Sequence, residues 1–189
     1  KGHRIEKENQ LLSDGVYASY KLGDKLVTTR DYKKSSSKVT AISDAFGQGS
    51  LLQVTYTDSN LPTLVQSFYI YPEKDYLLTE FTLQGGEAGV ESNMAPVTID
   101  RMPAVLAEGD NRALFQPFDN DCWIRYQSHP LTFDQLRSYE VATVFNNDDR
   151  KGFVIGSVEH SDWKTGIDMG KGDRNNIGSL VCFGGVADS

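Results

Sequence analysis

Helical periodicity is scarce in this 189-residue chain. No segment keeps apolar residues at three-to-four spacing over several turns. Lys1–Leu12 carries charges but only a weak apolar stripe. Thr132–Arg137 offers one turn at most, with Thr132 as N-cap and Gln135 placed as in a capping box. No run of 18 apolar residues occurs, so no helix is expected to span a membrane. There are two cysteines, Cys122 and Cys182, and three histidines, His3, His129 and His160. Neither set has the spacing of a metal site. The cysteines are either joined by a disulfide or stay as buried free thiols. A G-x-S-x-G nucleophile elbow is missing too. Basic excess is absent, since the formal net charge is −7. An acidic surface repels phosphate backbones, which excludes nucleic acid as a partner. The pair Lys33-Lys34, followed by Ser35–Ser37, reads as a solvated loop.

What is present is strand chemistry. Short segments rich in Val, Ile, Thr, Tyr and Phe are separated by turn residues. Gly15–Leu22 alternates and is followed by a Gly23-Asp24 turn. Lys25–Tyr32 and Lys38–Phe46 are further candidates. Ser50–Thr57 places Leu52, Val54 and Tyr56 on one face. The clearest hairpin is Thr63–Gln84, turning at Pro72–Asp75, where proline fixes φ and Asp accepts local backbone bonds. Val97–Leu106 follows, with Pro103 marking a bulge or an edge. Tyr139–Phe145 is apolar on both sides, which predicts a central strand covered above and below. A polar turn, Asn146–Lys151, joins it to Gly152–Val158. Strands at 8–12-residue spacing predict an all-β fold, an antiparallel β-sandwich with few or no helices, forming a single domain over residues 1–189.

Candidate chemistry is confined to a few places. The glycine-rich Gly166–Gly172 departs from the phosphate-loop pattern, and no helix follows it, so it reads as a flexible loop. His160 lies near Asp162, but no nucleophile accompanies them. Asp119 and Asp121 precede Trp123 and Arg125. Carboxylates and a guanidinium fix sugar hydroxyls by paired hydrogen bonds, and an indole stacks on the apolar face of a pyranose. The competing reading is an Asp-rich turn leading into a strand, with Trp123 in the core. As a glycosidase pair the two acids stand too close in sequence to flank a substrate, and a calcium loop lacks its D-x-D-x-D-G pattern. Trp163 is either a cap on the end of a strand or a second sugar contact. No catalytic residue, metal or cofactor is expected.

Three blocks, FDNDCWIRY (Phe118–Tyr126), SYEVATVFNNDDRKGFVIGSVEHSDWKTGI (Ser138–Ile167) and CFGG (Cys182–Gly185), resemble the N-terminal β-sandwich domain of α-galactosidase-like glycoside hydrolases from gut Bacteroidetes. The resemblance implies a supersandwich of the galactose-mutarotase-like kind, packed on a catalytic (β/α)8 barrel. The family's catalytic aspartates lie on that barrel. A barrel needs about 250 residues, so the chain is too short to hold one and would be an accessory domain. Its expected partners are the barrel of the same parent chain and a galactoside-type carbohydrate. The start at Lys1 without Met and the stop at GGVADS fit a trimmed piece of a longer, periplasmic or secreted protein. Two rival readings stand beside it. One is a free-standing carbohydrate-binding module that uses Trp123 and Trp163. The other is an aldose-mutarotase-like enzyme that would need His129 or His160 and a carboxylate in one cleft.

Overall fold

A computed structural model of the chain describes residues 3–7, 10–85, 93–118, 126–159 and 164–186. Fifteen strands run through these residues: β1 (His3–Lys7), β2 (Gln10–Leu22), β3 (Lys25–Thr28), β4 (Lys34–Asp44), β5 (Gly47–Asp58), β6 (Leu61–Ile70), β7 (Leu77–Gln84), β8 (Met94–Ile99), β9 (Asn111–Phe115), β10 (Gln127–Pro130), β11 (Gln135–Tyr139), β12 (Val141–Asn146), β13 (Gly152–Gly156), β14 (Lys164–Lys171) and β15 (Ile177–Val186). The one helical element among them is a 3-10 turn at Asp173–Asn175.

The strands form three antiparallel sheets that pack as a β-sandwich. A seven-stranded sheet runs β1-β2-β8-β15-β14-β11, with β3 also paired to β2. Two four-stranded sheets, β10-β9-β12-β13 and β4-β5-β6-β7, complete the set. Alternation decides what each face buries. Val16, Ile99, Ile167, Met169, Ile177 and Leu180 of the large sheet meet Ala113, Ala142 and Val144 of the β9–β12 sheet in an aliphatic core. Ala18, Tyr20 and Val27 meet Val54, Tyr56 and Leu64 of the β5–β6 sheet in a second core, joined by Tyr32. Val16, Ala18 and Tyr20 lie two residues apart on one strand, so β2 serves both cores with one face.

β8 makes the same switch by a bulge. Its pairing steps from Tyr17↔Thr98 to Ser19↔Ala95, two residues on β2 against three on β8. The extra residue reverses the alternation. Met94 therefore packs on the tyrosine-rich core, while Val97 packs on the aliphatic one three positions later.

The predicted hairpin is present as β6 and β7, and Val54 and Tyr56 are buried on one face of β5 as expected. Other expectations are corrected. Lys34–Ser37 is strand rather than loop, paired residue by residue with Val54–Thr57. Thr132–Arg137 forms no helical turn, because Gln135–Arg137 opens β11 and pairs with Asp168–Gly170. Gly166–Gly172 is no flexible loop either. Most of it is β14, an inner strand of the large sheet, and its glycines make room for neighbours. A Cβ on Gly166 would lie 2.4 Å from the Phe183 ring. Pro103 falls in the loop after β8, so that strand ends earlier than expected.

Tyr139–Phe145 is not one strand covered on both sides. Glu140, at φ 65°, divides it between two sheets. Tyr139 ends β11, Val141 opens β12, and Val141 is exposed. The polar turn Asn146–Lys151 does more than join strands. Buried Asn146 donates to the carbonyl of Ala107 and to Asn111 Oδ1, at 3.2 and 2.8 Å. Its own Oδ1 accepts from the amides of Asp148 and Asp149. Cys182 is a free thiol. Burial, then the charge of Asp168, pushes its pKa up to about 12, so it stays protonated and unreactive near neutrality.

A candidate contact corner and an apolar patch on a sheet

The residues proposed from sequence as sugar contacts, Asp119, Asp121, Trp123, Arg125 and Trp163, lie outside the described residues, as do His160 and Cys122. Their neighbours are described. Phe118 stands just before Asp119, and Lys164 just after Trp163. Lys164 Nζ sits 3.5 Å from the centre of the Phe118 ring and 5.7 Å from that of Tyr139. It also donates to the Phe118 carbonyl. The two rings meet edge to face, with centroids 5.0 Å apart. A cation held between two aromatic faces and a carbonyl is a favourable arrangement. It ties together the roots of two segments, 46 positions apart in sequence.

Backbone bonds fix this corner. The Tyr139 amide donates to the Gln116 carbonyl, the Glu140 amide to Thr165, and the Ser157 amide to Glu140. The positive φ of Glu140 turns the chain from the large sheet into the small one at this point. The Glu140 carboxylate accepts from the Thr165 amide at 3.2 Å. Sequence alternation could not reveal this, since it reads the stretch as one strand.

The outer face of the β9–β13 sheet leads up to the corner. One cross-strand row is Ser128, Leu114, Thr143 and Val154. The next pairs Val141 with Gly156, and Gln116 continues it beyond β9. No side chain in these two rows is charged, but the next row of the same face, Pro130, Arg112, Phe145 and Gly152, carries Arg112, which donates to Ser128 and pairs with Asp110. Leu114, Val141 and Val154 are 40%, 41% and 68% exposed, and Tyr126, just before β10, and Val158, just after β13, are exposed as well. Water-facing positions on an antiparallel sheet are usually polar, so the patch of Leu114, Val141 and Val154 stands out. Its signal was present in the sequence as uncharged residues at alternate positions. It became legible only once Ala113, Ala142 and Val144 were known to point inward.

A third feature lies on the outer face of the large sheet. Arg137, Asp168, Val181, Thr98 and Tyr17 form one continuous cross-strand row. At one end Arg137 makes a bidentate pair with Asp168, with distances of 2.6 and 2.7 Å, and lies over the Phe183 ring. An open groove of about 490 Å³ runs here, lined by Gln135, Arg137, Asp168, Ser179 and Val181. At the other end Arg30 covers the Tyr17 ring at 3.9 Å, and both bond Asp100, at 2.7 and 2.6 Å. The hydrogen bond from Tyr17, then that from Arg30, holds the Asp100 carboxyl below the usual range. Burial, then the bond to Asp100, pushes Tyr17 up to about 12.

Catalytic geometry does not emerge among the described residues. His129 pairs with Gln127 Oε1 at 3.1 Å and lies against the Phe115 ring. No group of three His, Cys, Asp or Glu among these residues is placed to hold a metal ion. No protein-family model, no curated protein and no solved structure matches the chain.

Proposed function

We propose that the chain is a non-catalytic β-sandwich domain of a carbohydrate-active enzyme of the α-galactosidase-like kind. It docks a catalytic barrel through the two uncharged rows around Leu114, Val141 and Val154 on the outer face of the β9–β13 sheet and places its corner at the barrel's rim. The exposed apolar patch of Leu114, Val141 and Val154 carries this reading. Interface cores are depleted in charge, and contiguous exposed apolar surface marks a docking site. The corner at the end of that face supplies the rim. There the segments with Asp119, Asp121, Trp123, Arg125 and Trp163 would meet a galactoside, in a periplasmic or secreted enzyme.

The test begins with the coding DNA beyond residue 189. A reading frame that continues into a (β/α)8 barrel is expected, and a stop codon there sinks the proposal. The double variant Leu114→Lys, Val154→Lys should then abolish capture of that barrel by the chain. Both positions are exposed, so the melting temperature should not change. Hydrolysis of nitrophenyl galactosides by the chain alone would also contradict it.

A free-standing carbohydrate-binding module is the second reading, and the groove beside Arg137 and Asp168 favours it. The paired guanidinium and carboxylate, with Gln135 and Ser179, offer donors and acceptors to hydroxyls. Calorimetric titration with galactosides separates the two sites. Loss of affinity in Arg137→Ala points to the groove, loss in Trp123→Ala to the corner, and no heat with any sugar removes both.

A further inference from the structure

The β4-β5-β6-β7 sheet ends in an unusual edge. β4 is eleven residues long, and ten of them are exposed, Ile42 alone being half-buried. It pairs with β5 in unbroken register from Lys34↔Thr57 to Asp44↔Gly47. It holds no proline and no bulge, and no described strand pairs with its other side. Such an edge offers a row of free amides and carbonyls to another strand. Lysines usually guard an edge of this kind by repelling an unsuitable partner. β4 carries Lys34 and Lys38 but also, at its far end, Asp44.

We propose that β4 pairs antiparallel with β4 of a second copy, across a two-fold axis at Val39. This is the register in which all eleven residues find a partner. It sets Lys34 opposite Asp44 at both ends, Ser35 opposite Ser43, Ser36 opposite Ile42, Ser37 opposite Ala41 and Lys38 opposite Thr40. Val39, which is 67% exposed, meets its own copy. A parallel pairing would set Lys34 on Lys34 and Asp44 on Asp44, and like charges directly opposite are destabilising. The two ends thus select both orientation and partner. Asp44 is ready for this role. Its carboxylate accepts from Tyr71 Oη and the Phe46 amide, at 2.7 and 2.9 Å, and the first of these bonds leads in holding it below the usual carboxylate range. Two oxygens offer further acceptor sites for an ammonium. One opposing contact exists: Lys38 lies diagonal to its copy, which keeps the association reversible and salt-dependent.

Sedimentation velocity of the intact chain over a concentration series tests the pairing. A monomer–dimer equilibrium is expected. Lys34→Glu turns two attractions into repulsions and should weaken it about tenfold. The exchange Lys34→Glu, Asp44→Lys should restore it. Val39→Cys should yield a 39–39′ disulfide on mild oxidation, found by peptide mass analysis, whereas the equally accessible control Leu26→Cys should give no such link. A monomer at every concentration overturns the proposal. So does a dimer that survives Lys34→Glu, or one that Leu114→Lys, Val154→Lys dissolves instead. Lys34 is exposed, so an unchanged melting temperature confirms that the variant is folded.

Discussion

The two cores solve the same packing problem with different materials. The aliphatic one relies on shape: Ile167, Met169, Ile177, Val16 and Val144 are buried almost completely and have no polar atom to satisfy. The other holds three tyrosines, Tyr20, Tyr32 and Tyr56, among smaller apolar groups. Here each hydroxyl must find a partner. Tyr32 donates its single proton to the Pro62 carbonyl at 2.7 Å. The Tyr20 hydroxyl, 2.9 Å away, must then be the donor to Tyr32. One half of the molecule is held by volume, and the other by volume plus a directed chain of hydrogen bonds. They should therefore fail in different ways.

The largest expected effect is in the aliphatic half. Ile167→Ala removes methyl groups at a fully buried site on an inner strand and should cost about 2–5 kcal/mol in chemical unfolding. In the tyrosine half, Tyr32→Phe keeps the ring but strands the Tyr20 hydroxyl and the Pro62 carbonyl. About 1–3 kcal/mol should be lost. A loss greater than that of Ile167→Ala would mean that the bonds matter more than the volume.

Alkaline titration sharpens the contrast. Tyr17 and Tyr32 both hold their protons more tightly when folded than an ordinary tyrosine near 10. Between pH 10 and about 12 the unfolded chain has released the Tyr17 proton while the folded one retains it. The stability linked to this proton, which burial and then the bond to Asp100 hold on Tyr17, is complete below pH 10 and falls as pH rises through that window. Tyr17→Phe should reduce the slope there by about one proton's share, and Ile167→Ala should leave it unchanged. The smallest effect belongs to the surface. Arg137→Ala breaks a bidentate pair that is half in water and should cost no more than about 1 kcal/mol. High salt should shrink the difference further.

The fold class was readable in the sequence because strands announce themselves by alternation, and turns by Gly, Pro and Asp. Thr63–Gln84 showed both signals. Lys34–Ser37 showed neither, and its strand is dictated by the partner Val54–Thr57 across the ladder. Gly166–Gly172 misled for a related reason: its glycines accommodate Phe183 and Ser179 from β15, a tertiary requirement that looks like flexibility in one dimension. The break at Glu140 was hidden because both flanking pieces are apolar. As for the site, the segments with Asp119–Arg125 and Trp163 stood out by composition. That their roots are tied by Lys164 depends on contacts between distant parts of the chain, which spacing does not encode.

β2 has a consequence for how the molecule comes apart. One thirteen-residue strand lends Val16 to the first core and Ala18 and Tyr20 to the second. Neither core can dissolve without loosening the rod that both are built on. The strand acts as a common spine, and it makes two chemically unlike halves into one cooperative unit. Heat should melt the protein once, with the tyrosine signal and the loss of sheet coinciding, even when the damage is introduced at Ile167 in the other half.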